Sequence, residues 1–177
     1  LPADIQSNLW SGLFGDAVEE AHREANRGWT VVLSMPDFTY LDMPQAVDPN
    51  ESGATWATRE IDLFRLYAFM PGNLAANAAV TTDILNRPRT VTDTVPLAPG
   101  RGVAGIQGQL WSEMVRRDSQ VEYMLFPRVF ALAERAWSQP AWEPAYAPGT
   151  SYSYGDARVD TAALLAGWRD FAGRRAL

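Results

Sequence analysis

The sequence predicts an α/β fold that forms the C-terminal portion of a (β/α)8 TIM barrel, about three βα units of an incomplete barrel. Three apolar segments have the pattern of strands in a parallel sheet, and a loop and a helical segment follow each of them. The chain has 177 residues, whereas a complete barrel takes about 250. We therefore expect residues 1–177 to be the C-terminal part of a catalytic barrel domain whose N-terminal half is absent from the sequence.

The first 35 residues predict a strand, a helix and a second strand in succession. Residues 5–10 suit a short strand, and Asp16 can cap a helix that runs to about Arg27, where Gly28 would end it. Residues 29–35 form a nearly continuous apolar run, as in strands that are buried on both faces. A βαβ unit of this kind indicates a parallel sheet with helices outside it.

A long irregular stretch with three prolines covers residues 36–53, and long loops at strand ends usually serve a site. After it, residues 55–67 are expected to be partly helical and residues 73–85 to be helical. Residues 86–101 are predicted to be a loop, and residues 103–111 form the third strand.

Two further helices are predicted near the C-terminus. Residues 120–137 have helical periodicity, and Pro127 would mark a kink or a first turn. Asp160 is suited to cap the last helix.

The composition argues against several classes of function. The formal net charge is −6, so no nucleic-acid partner is expected, because phosphate binding needs a cationic surface. Cysteine is absent and His22 is the single histidine, which leaves neither a thiolate site nor a His-rich metal site. His22 falls within the first helix and is expected to be exposed. No run of about 20 apolar residues is present that could span a membrane.

Aromatic and acidic side chains follow the predicted strands, where the active sites of such barrels lie. The first strand ends at Trp10. The second leads to Asp37, Tyr40 and Asp42. The third ends at Trp111, Ser112 and Glu113. Tryptophan faces suit the C–H faces of a sugar, and carboxylates accept strong hydrogen bonds from its hydroxyls. This set of residues favours a neutral, polar, flat ligand over an anion.

The same residues also have structural alternatives. Trp10 and Trp111 could be core residues that close the end of the barrel, since tryptophan is usually buried. Asp42 and Glu113 could be helix caps or ion-pair partners. They also resemble the paired carboxylates of a glycosidase, but neither is expected in an apolar setting that would raise its pKa for acid catalysis. The tryptophans on or beside helices are expected to pack: Trp137, Trp142 and Trp168.

Five strings in the sequence are specific enough to indicate a family. They are YLDMP (40–44), WATRE (56–60), GIQGQLWSE (105–113), YMLFPRVFALAERAW (123–137) and AWEPAY (141–146). Together they resemble the C-terminal half of bacterial family-20 glycoside hydrolases, the β-N-acetylhexosaminidases, especially the chitobiase type. Their order and spacing agree from about Ile5 to Phe171, so the resemblance covers nearly the whole chain.

The resemblance implies hydrolysis of terminal N-acetylglucosamine or N-acetylgalactosamine from oligosaccharides, with retention of configuration. In this family the acetamido oxygen of the substrate attacks the anomeric carbon, in place of a carboxylate nucleophile. Tyr40 would hydrogen-bond that oxygen and is the expected catalytic residue. No metal or organic cofactor is expected, and the resemblance leaves the compartment open among secreted, periplasmic and cytoplasmic bacterial locations.

The resemblance also implies a set of substrate-binding residues. Trp10 and Trp111 would line the pocket around the acetamido methyl and the sugar face. Asp42 and Glu113 would hold sugar hydroxyls, and Trp56 would stack on the neighbouring sugar.

The sequence departs from the family in one respect that bears on activity. The family's His-x-Gly-Gly-Asp-Glu string, which carries the general acid, is absent, and the dipeptide Asp-Glu never occurs. Two hypotheses therefore stay open: an enzyme fragment that is inactive by itself, or a non-catalytic half-barrel that binds sugar or has a structural role. Open strand edges predict self-association or contact with the missing half of the barrel.

Overall fold

The computed structural model of the chain describes residues 4–175. Strands and helices follow one another along the chain with one 3-10 helix between them. In chain order they are β1 (Gln6–Leu9), α1 (Ala17–Asn26), β2 (Thr30–Leu33), α2 (Leu63–Tyr67), the 3-10 helix (Leu74–Ala79), β3 (Val91–Thr92), β4 (Gly105–Ile106), α3 (Asp118–Leu125), α4 (Arg128–Trp137), β5 (Ser151–Tyr152) and α5 (Thr161–Arg175).

The predicted parallel sheet is confirmed. Strands β1, β2 and β4 lie side by side in that order and all run parallel. Gln6 lies opposite Thr30, and Val32 lies opposite Gly105. Helix α1 packs against β1 and β2, and α4 packs against β4 and α2. A second sheet, with β3 and β5 antiparallel, was not predicted.

The third parallel strand is shorter than predicted. At its end, the backbone N–H of Gln107 donates to the carbonyl oxygen of Leu33 at 2.8 Å. Farther on, Gln109 pairs with Tyr40 in an isolated parallel bridge. The ladder is interrupted because the chain leaves β2 after Leu33 and returns alongside the third strand only at Tyr40. This detour places Tyr40 beside the segment that leads to Trp111.

Helix α1 is confirmed, but its predicted cap is not. Gly28 ends the helix with a φ of +89°, a conformation that glycine adopts without a steric penalty. Asp16 precedes the helix, yet its side chain makes no capping hydrogen bond. The backbone of Asp16, at φ −115° and ψ 12°, is not in the extended conformation that brings a capping side chain onto the first turn.

The middle of the chain contains less helix than predicted. Within residues 55–67 only α2 forms, capped by Asp62, whose Oδ1 accepts from the backbone N–H of Arg65 at 2.6 Å. Within residues 73–85 a 3-10 helix replaces the predicted α-helix. The Asn77 side chain there bonds both the N–H and the carbonyl of Met70, and such local bonds compete with helix formation.

Two helices, α3 and α4, occupy the place of the single helix predicted over residues 120–137. Pro127 lies between them, because proline has no N–H to donate and its ring clashes with the preceding turn. Asp160 caps α5 as predicted, since its Oδ1 accepts from the backbone N–H of Ala163 at 2.9 Å. No helix within residues 4–175 is long and apolar enough to cross a membrane.

His22 is buried, and the prediction that it is exposed was wrong. Its Nδ1 lies 3.0 Å from Oδ1 of Asp93 and 2.8 Å from the carbonyl oxygen of Val95. Since both neighbours are acceptors, Nδ1 carries the proton. The segment around β3 folds over α1, and a contact across 71 residues of sequence is not visible in helical periodicity.

The prediction that the helical tryptophans pack is confirmed for two of the three. Trp142 is buried, and both Trp142 and Trp168 contact the ring of Tyr67, at centroid distances of 6.0 and 5.5 Å. Trp137, at the end of α4, is instead 93% exposed. The core face of α4 carries Arg128, Ala131 and Arg135, so Trp137 points away from it.

Candidate functional site

Four aromatic side chains form a continuous row at the C-terminal ends of the parallel strands. In spatial order this aromatic row consists of Trp10, Trp111, Tyr40 and Trp56. Successive ring centroids are 5.7, 6.1 and 5.9 Å apart, with interplanar angles of 66°, 61° and 78°. Edge-to-face contacts at these distances are favourable, so the rings support one another.

The tryptophans of this row are exposed, whereas the structural alternative had Trp10 and Trp111 buried in the core. Trp10 is 54% exposed, Trp111 36% and Trp56 62%. Large exposed aromatic groups that line up on one face are typical of binding surfaces. Tyr40 lies buried between Trp111 and Trp56. The row therefore combines the faces of three exposed tryptophans with one buried phenolic hydroxyl.

Tyr40 is held in place by the backbone on both sides. The N–H of Leu41 donates to the carbonyl of Gln109 at 2.6 Å, and the N–H of Gln109 donates to the carbonyl of Thr39 at 3.0 Å. Burial raises the pKa of Tyr40, a hydrogen bond from the Trp111 side chain opposes that effect, and the charge of Asp42 adds to it. The hydroxyl is thus protonated at neutral pH and available as a donor.

Asp42 is a buried carboxylate two residues beyond Tyr40. Its Oδ1 has no hydrogen-bond partner within the described part of the chain. Burial raises the pKa of Asp42, whereas the backbone N–H groups of Asp42 and Trp111 lower it and the charge of Glu113 raises it further. The expectation that Asp42 lacks a pKa-raising environment was therefore wrong. An unpartnered buried oxygen at a strand end is suited to accept a hydrogen bond from a ligand.

Glu113 is exposed, and it is near enough to Asp42 to influence its ionisation. The structure therefore brings both predicted carboxylates to the same end of the sheet. The main-chain carbonyl of Glu113 accepts from Nη1 of Arg116 at 2.6 Å, which braces the turn that follows Trp111. Neither carboxylate forms an ion pair with lysine or arginine among the salt bridges of residues 4–175, contrary to the ion-pair alternative.

Asp37, which the sequence analysis also placed after the second strand, belongs to this region as well. Its Oδ2 accepts from the backbone N–H of Leu13 at 2.8 Å, and its main-chain carbonyl accepts from Nε of Arg65 at 2.8 Å. Burial raises the pKa of Asp37, while the Leu13 N–H and the Arg65 charge lower it. Asp37 thereby ties the loop after Trp10 to the loop that carries Tyr40.

Arg128 is a residue that the sequence prediction missed. It is fully buried and donates to the main-chain carbonyls of Leu41 and Met43, on either side of Asp42. The signal that could have revealed it is the charge on the core face of α4, where arginine recurs at Arg128 and Arg135. Within residues 4–175 no group of three or more acidic or histidine side chains could hold a metal ion.

Comparisons with known proteins agree on a single family. The model for "Glycosyl hydrolase family 20, catalytic domain" matches residues 1–140. Beta-hexosaminidase B of Pseudoalteromonas piscicida is 47% identical over 154 residues, which are 86% of this chain and 20% of that protein. N,N′-diacetylchitobiase of Vibrio harveyi is 39% identical over 165 residues, 93% of this chain and 18% of that protein. The chain thus spans about a fifth of the length of these relatives.

Solved structures show the same likeness. A family-20 exo-β-N-acetylglucosaminidase from Vibrio harveyi, in complex with N-acetylglucosamine, superposes with a TM-score of 0.56 at 26% identity and covers 99% of this chain and 22% of that chain. A β-hexosaminidase from Streptomyces plicatus, in complex with Thio-NAglucal, superposes with a TM-score of 0.56 at 27% identity and covers 76% of this chain and 23% of that chain.

Proposed function

Because the chain belongs to glycoside hydrolase family 20, we propose that it forms one wall of the sugar pocket of a β-N-acetylhexosaminidase, as part of a TIM-barrel domain. The substrate would be an oligosaccharide that ends in N-acetylglucosamine or N-acetylgalactosamine. The observation that carries this proposal is the aromatic row together with Asp42, whose buried Oδ1 has no hydrogen-bond partner within residues 4–175. The names of the relatives and the N-acetylglucosamine bound in the Vibrio harveyi structure support it.

In the proposed reaction the substrate supplies its own nucleophile. Its acetamido oxygen attacks the anomeric carbon, the glycosidic bond breaks, and the leaving oxygen takes a proton from a general acid. Water then opens the cyclic oxazolinium ion, so that configuration is retained. Tyr40 donates its hydroxyl proton in a hydrogen bond to the acetamido oxygen and holds this oxygen in line with the anomeric carbon.

The other residues of the site bind the sugars on either side of the scissile bond. Trp10 and Trp111 cover the acetamido methyl and the sugar face. Asp42 and Glu113 accept hydrogen bonds from hydroxyls of the terminal sugar. Trp56, at the far end of the aromatic row, stacks on the neighbouring sugar.

On this proposal the general acid comes from outside the present sequence, since the sequence holds no Asp-Glu pair. We therefore expect no hydrolysis by the 177-residue chain alone. To supply the acid, residues 4–175 can replace the matching segment of the Pseudoalteromonas piscicida enzyme; this hybrid is called the chimaera below. The chimaera should release p-nitrophenol from p-nitrophenyl N-acetyl-β-glucosaminide, whereas the chain alone should release none, because it lacks a general acid that contributes about 10²–10⁴-fold.

The absence of an Asp-Glu pair from the sequence also favours a second candidate, a non-catalytic half-barrel that binds sugar or has a structural role. The two candidates differ in the chimaera. A chimaera that folds and binds N-acetylglucosamine without hydrolysing the chromogenic substrate would support the binding module. Turnover by the rigorously purified chain alone would contradict both candidates, because it would require a different acid.

The open edge of β1 predicts how the isolated chain assembles. Within residues 4–175, β1 pairs only with β2, and its other edge is free. Unpaired parallel edges tend to pair with other chains. We propose that this edge is covered by self-association or by the missing half of the barrel. Sedimentation velocity should show concentration-dependent association of the chain, and a stable monomer over the micromolar range would count against this.

A further inference from the structure

Arg128, the first residue of α4, is a buried cation whose hydrogen bonds all go to main-chain carbonyls. Its Nη1 donates to Met43 at 2.8 Å and to Ile61 at 3.0 Å. Its Nη2 donates to Leu41 at 2.5 Å and to Met124 at 2.6 Å, and Nε also donates to Met124 at 3.1 Å. All five guanidinium N–H groups are therefore satisfied. Burying a charge costs free energy unless hydrogen bonds compensate for the lost water, and here five of them do.

Three of the carbonyl groups that accept from Arg128 lie outside α3. Two of them belong to the neighbours of Asp42 in the chain, Leu41 and Met43. The third belongs to Ile61, whose own N–H donates to the carbonyl of Pro44 at 2.7 Å, where the loop over residues 44–61 closes. The guanidinium therefore holds both the peptides that flank Asp42 and the base of the loop that carries the end of the aromatic row.

We propose that Arg128 is a positioning residue for the sugar site, because its guanidinium sets the place at which the Asp42 carboxylate meets a sugar hydroxyl. This inference rests on the proposed function, in which Asp42 binds the substrate. Neighbouring charged groups also influence the ionisation of the Asp42 carboxyl. Burial raises the pKa of Asp42, Glu113 adds to that effect and Arg128 opposes it, while the hydroxyl of Tyr40 lies close by.

Arg135 provides a matched control on the same helix face. It is buried like Arg128 and lies two turns farther along α4. Its guanidinium lies over the rings of Tyr67 and Trp142, 5.3 and 5.2 Å from their centroids. If Arg128 only stabilised the core, substitution of either arginine would lower stability, and replacement by lysine, which keeps the positive charge, would leave sugar binding at Asp42 unchanged.

The first test uses the 177-residue chain itself and does not depend on activity. The side-chain carboxyl of Asp42 is titrated by ¹³C NMR, assigned from Asp42→Asn, with the buried carboxyl of Asp37 as an internal reference. In Arg128→Met the midpoint of Asp42 should rise while that of Asp37 stays in place. In Arg135→Met both should stay at their wild-type values. An Asp42 midpoint that Arg128→Met leaves unchanged would overturn the proposal.

The second test measures kinetics in the chimaera and keeps the positive charge. Arg128→Lys retains a cation but not the planar fork that reaches several carbonyls. We expect KM to rise roughly tenfold, as for the loss of one charge-assisted hydrogen bond to the sugar, with kcat within about twofold. Arg135→Lys should leave both constants unchanged.

The kinetic outcomes separate this inference from the proposed function. If Asp42→Asn raises KM but Arg128→Lys does not, Arg128 has no positioning role although the site binds sugar. If Asp42→Asn also leaves KM unchanged, Asp42 does not bind the substrate, and the proposed function fails together with the role of Arg128. Should Arg128→Met fail to fold, the comparison of Arg128→Lys with Arg135→Lys decides.

Discussion

The backbone of Gly53 lies directly against the carbonyl oxygen of Asp42. A Cβ atom at Gly53 would come within 2.7 Å of that oxygen and within 2.7 Å of the backbone nitrogen of Pro44. Gly53 also has a φ of +146°, a conformation that side chains rarely allow. The backbone N–H of Ala54 completes the contact by donating to the Asp42 carbonyl at 2.9 Å. The loop that ends at Trp56 thus packs onto the peptide of the site carboxylate.

Substitution of Gly53 should therefore disturb both stability and sugar binding. Gly53→Ala is expected to lower the free energy of unfolding of the chain by roughly 1–3 kcal/mol, through backbone strain and steric overlap. In the chimaera it should also raise KM, because Asp42 is displaced. Gly100→Ala is the matched control: Gly100 also has a positive φ, +74°, but a Cβ there would meet no atom within 4 Å. Equal losses for the two variants in urea unfolding would refute the packing argument.

Tyr40→Phe tests whether the hydroxyl acts in the transition state. A hydrogen bond that positions the acetamido oxygen should matter more in the transition state than in the ground state. In the chimaera we expect kcat to fall roughly 10²-fold with little change in KM. Tyr154→Phe, at an exposed tyrosine outside the site, should leave kcat unchanged. If Tyr40→Phe keeps kcat within a few-fold of wild type, Tyr40 only packs in its loop.

Asp42→Asn is expected to stabilise the chain while weakening the site. The folded-state pKa of Asp42 is raised, chiefly by burial, so folding disfavours its ionised form. This penalty is present above the folded-state pKa and absent below the unfolded value of about 3.9. The variant should gain roughly 0.5–2 kcal/mol at pH 7 and nothing near pH 3.

Glu113→Gln is the control for the stability gain of Asp42→Asn, since Glu113 is exposed and its substitution removes no buried charge. Both variants should raise KM in the chimaera, because sugar hydroxyls are bound in the ground state as well as in the transition state. Only Asp42→Asn should raise the thermal midpoint of the chain at neutral pH. A loss of stability in Asp42→Asn at pH 7 would contradict the burial argument.

Asp93 should contribute stability that is lost as the pH falls, whereas ionised Asp42 lowers stability at neutral pH. Burial opposes its ionisation, but hydrogen bonds from Tyr146 at 2.5 Å and from the backbone N–H of Gly149 at 2.9 Å, together with His22, lower its pKa overall. A lowered folded-state pKa contributes stability above the unfolded value of about 3.9, and this contribution is lost as pH falls through the folded-state pKa.

We therefore expect Asp93→Asn to be less stable than wild type by roughly 2–3 kcal/mol at pH 6, with the gap narrowing towards pH 2. Urea unfolding at several pH values measures the gap. Asp160→Asn provides the control, because asparagine also serves as a helix cap and little change is expected. A gap for Asp93→Asn that stays constant between pH 6 and pH 2 would show that ionisation of Asp93 does not stabilise the fold.

Local signals in the sequence were sufficient for the presence of the parallel strands and for the residues that follow them, although the third strand is shorter than predicted. The apolar run over residues 29–35 and the glycine after α1 depend on neighbours in the chain, so periodicity and backbone preference predict them. Trp10, Tyr40 and Trp111 follow because strands in such a sheet end on the same side. The resemblance in the strings around Asp42 and Glu113 pointed to the same residues.

Only the tertiary structure decided the environments of these residues. His22 is buried by a segment 71 residues away, and Arg128 reaches the carbonyl of Leu41 across 87 residues. Burial, hydrogen-bond partners and pKa shifts depend on which distant segments cover a side chain, and no local pattern records that. The sequence by itself determined which residues stand at the strand ends. The three-dimensional packing decided that Tyr40 and Asp42 are buried, and that a buried arginine holds the peptides beside Asp42.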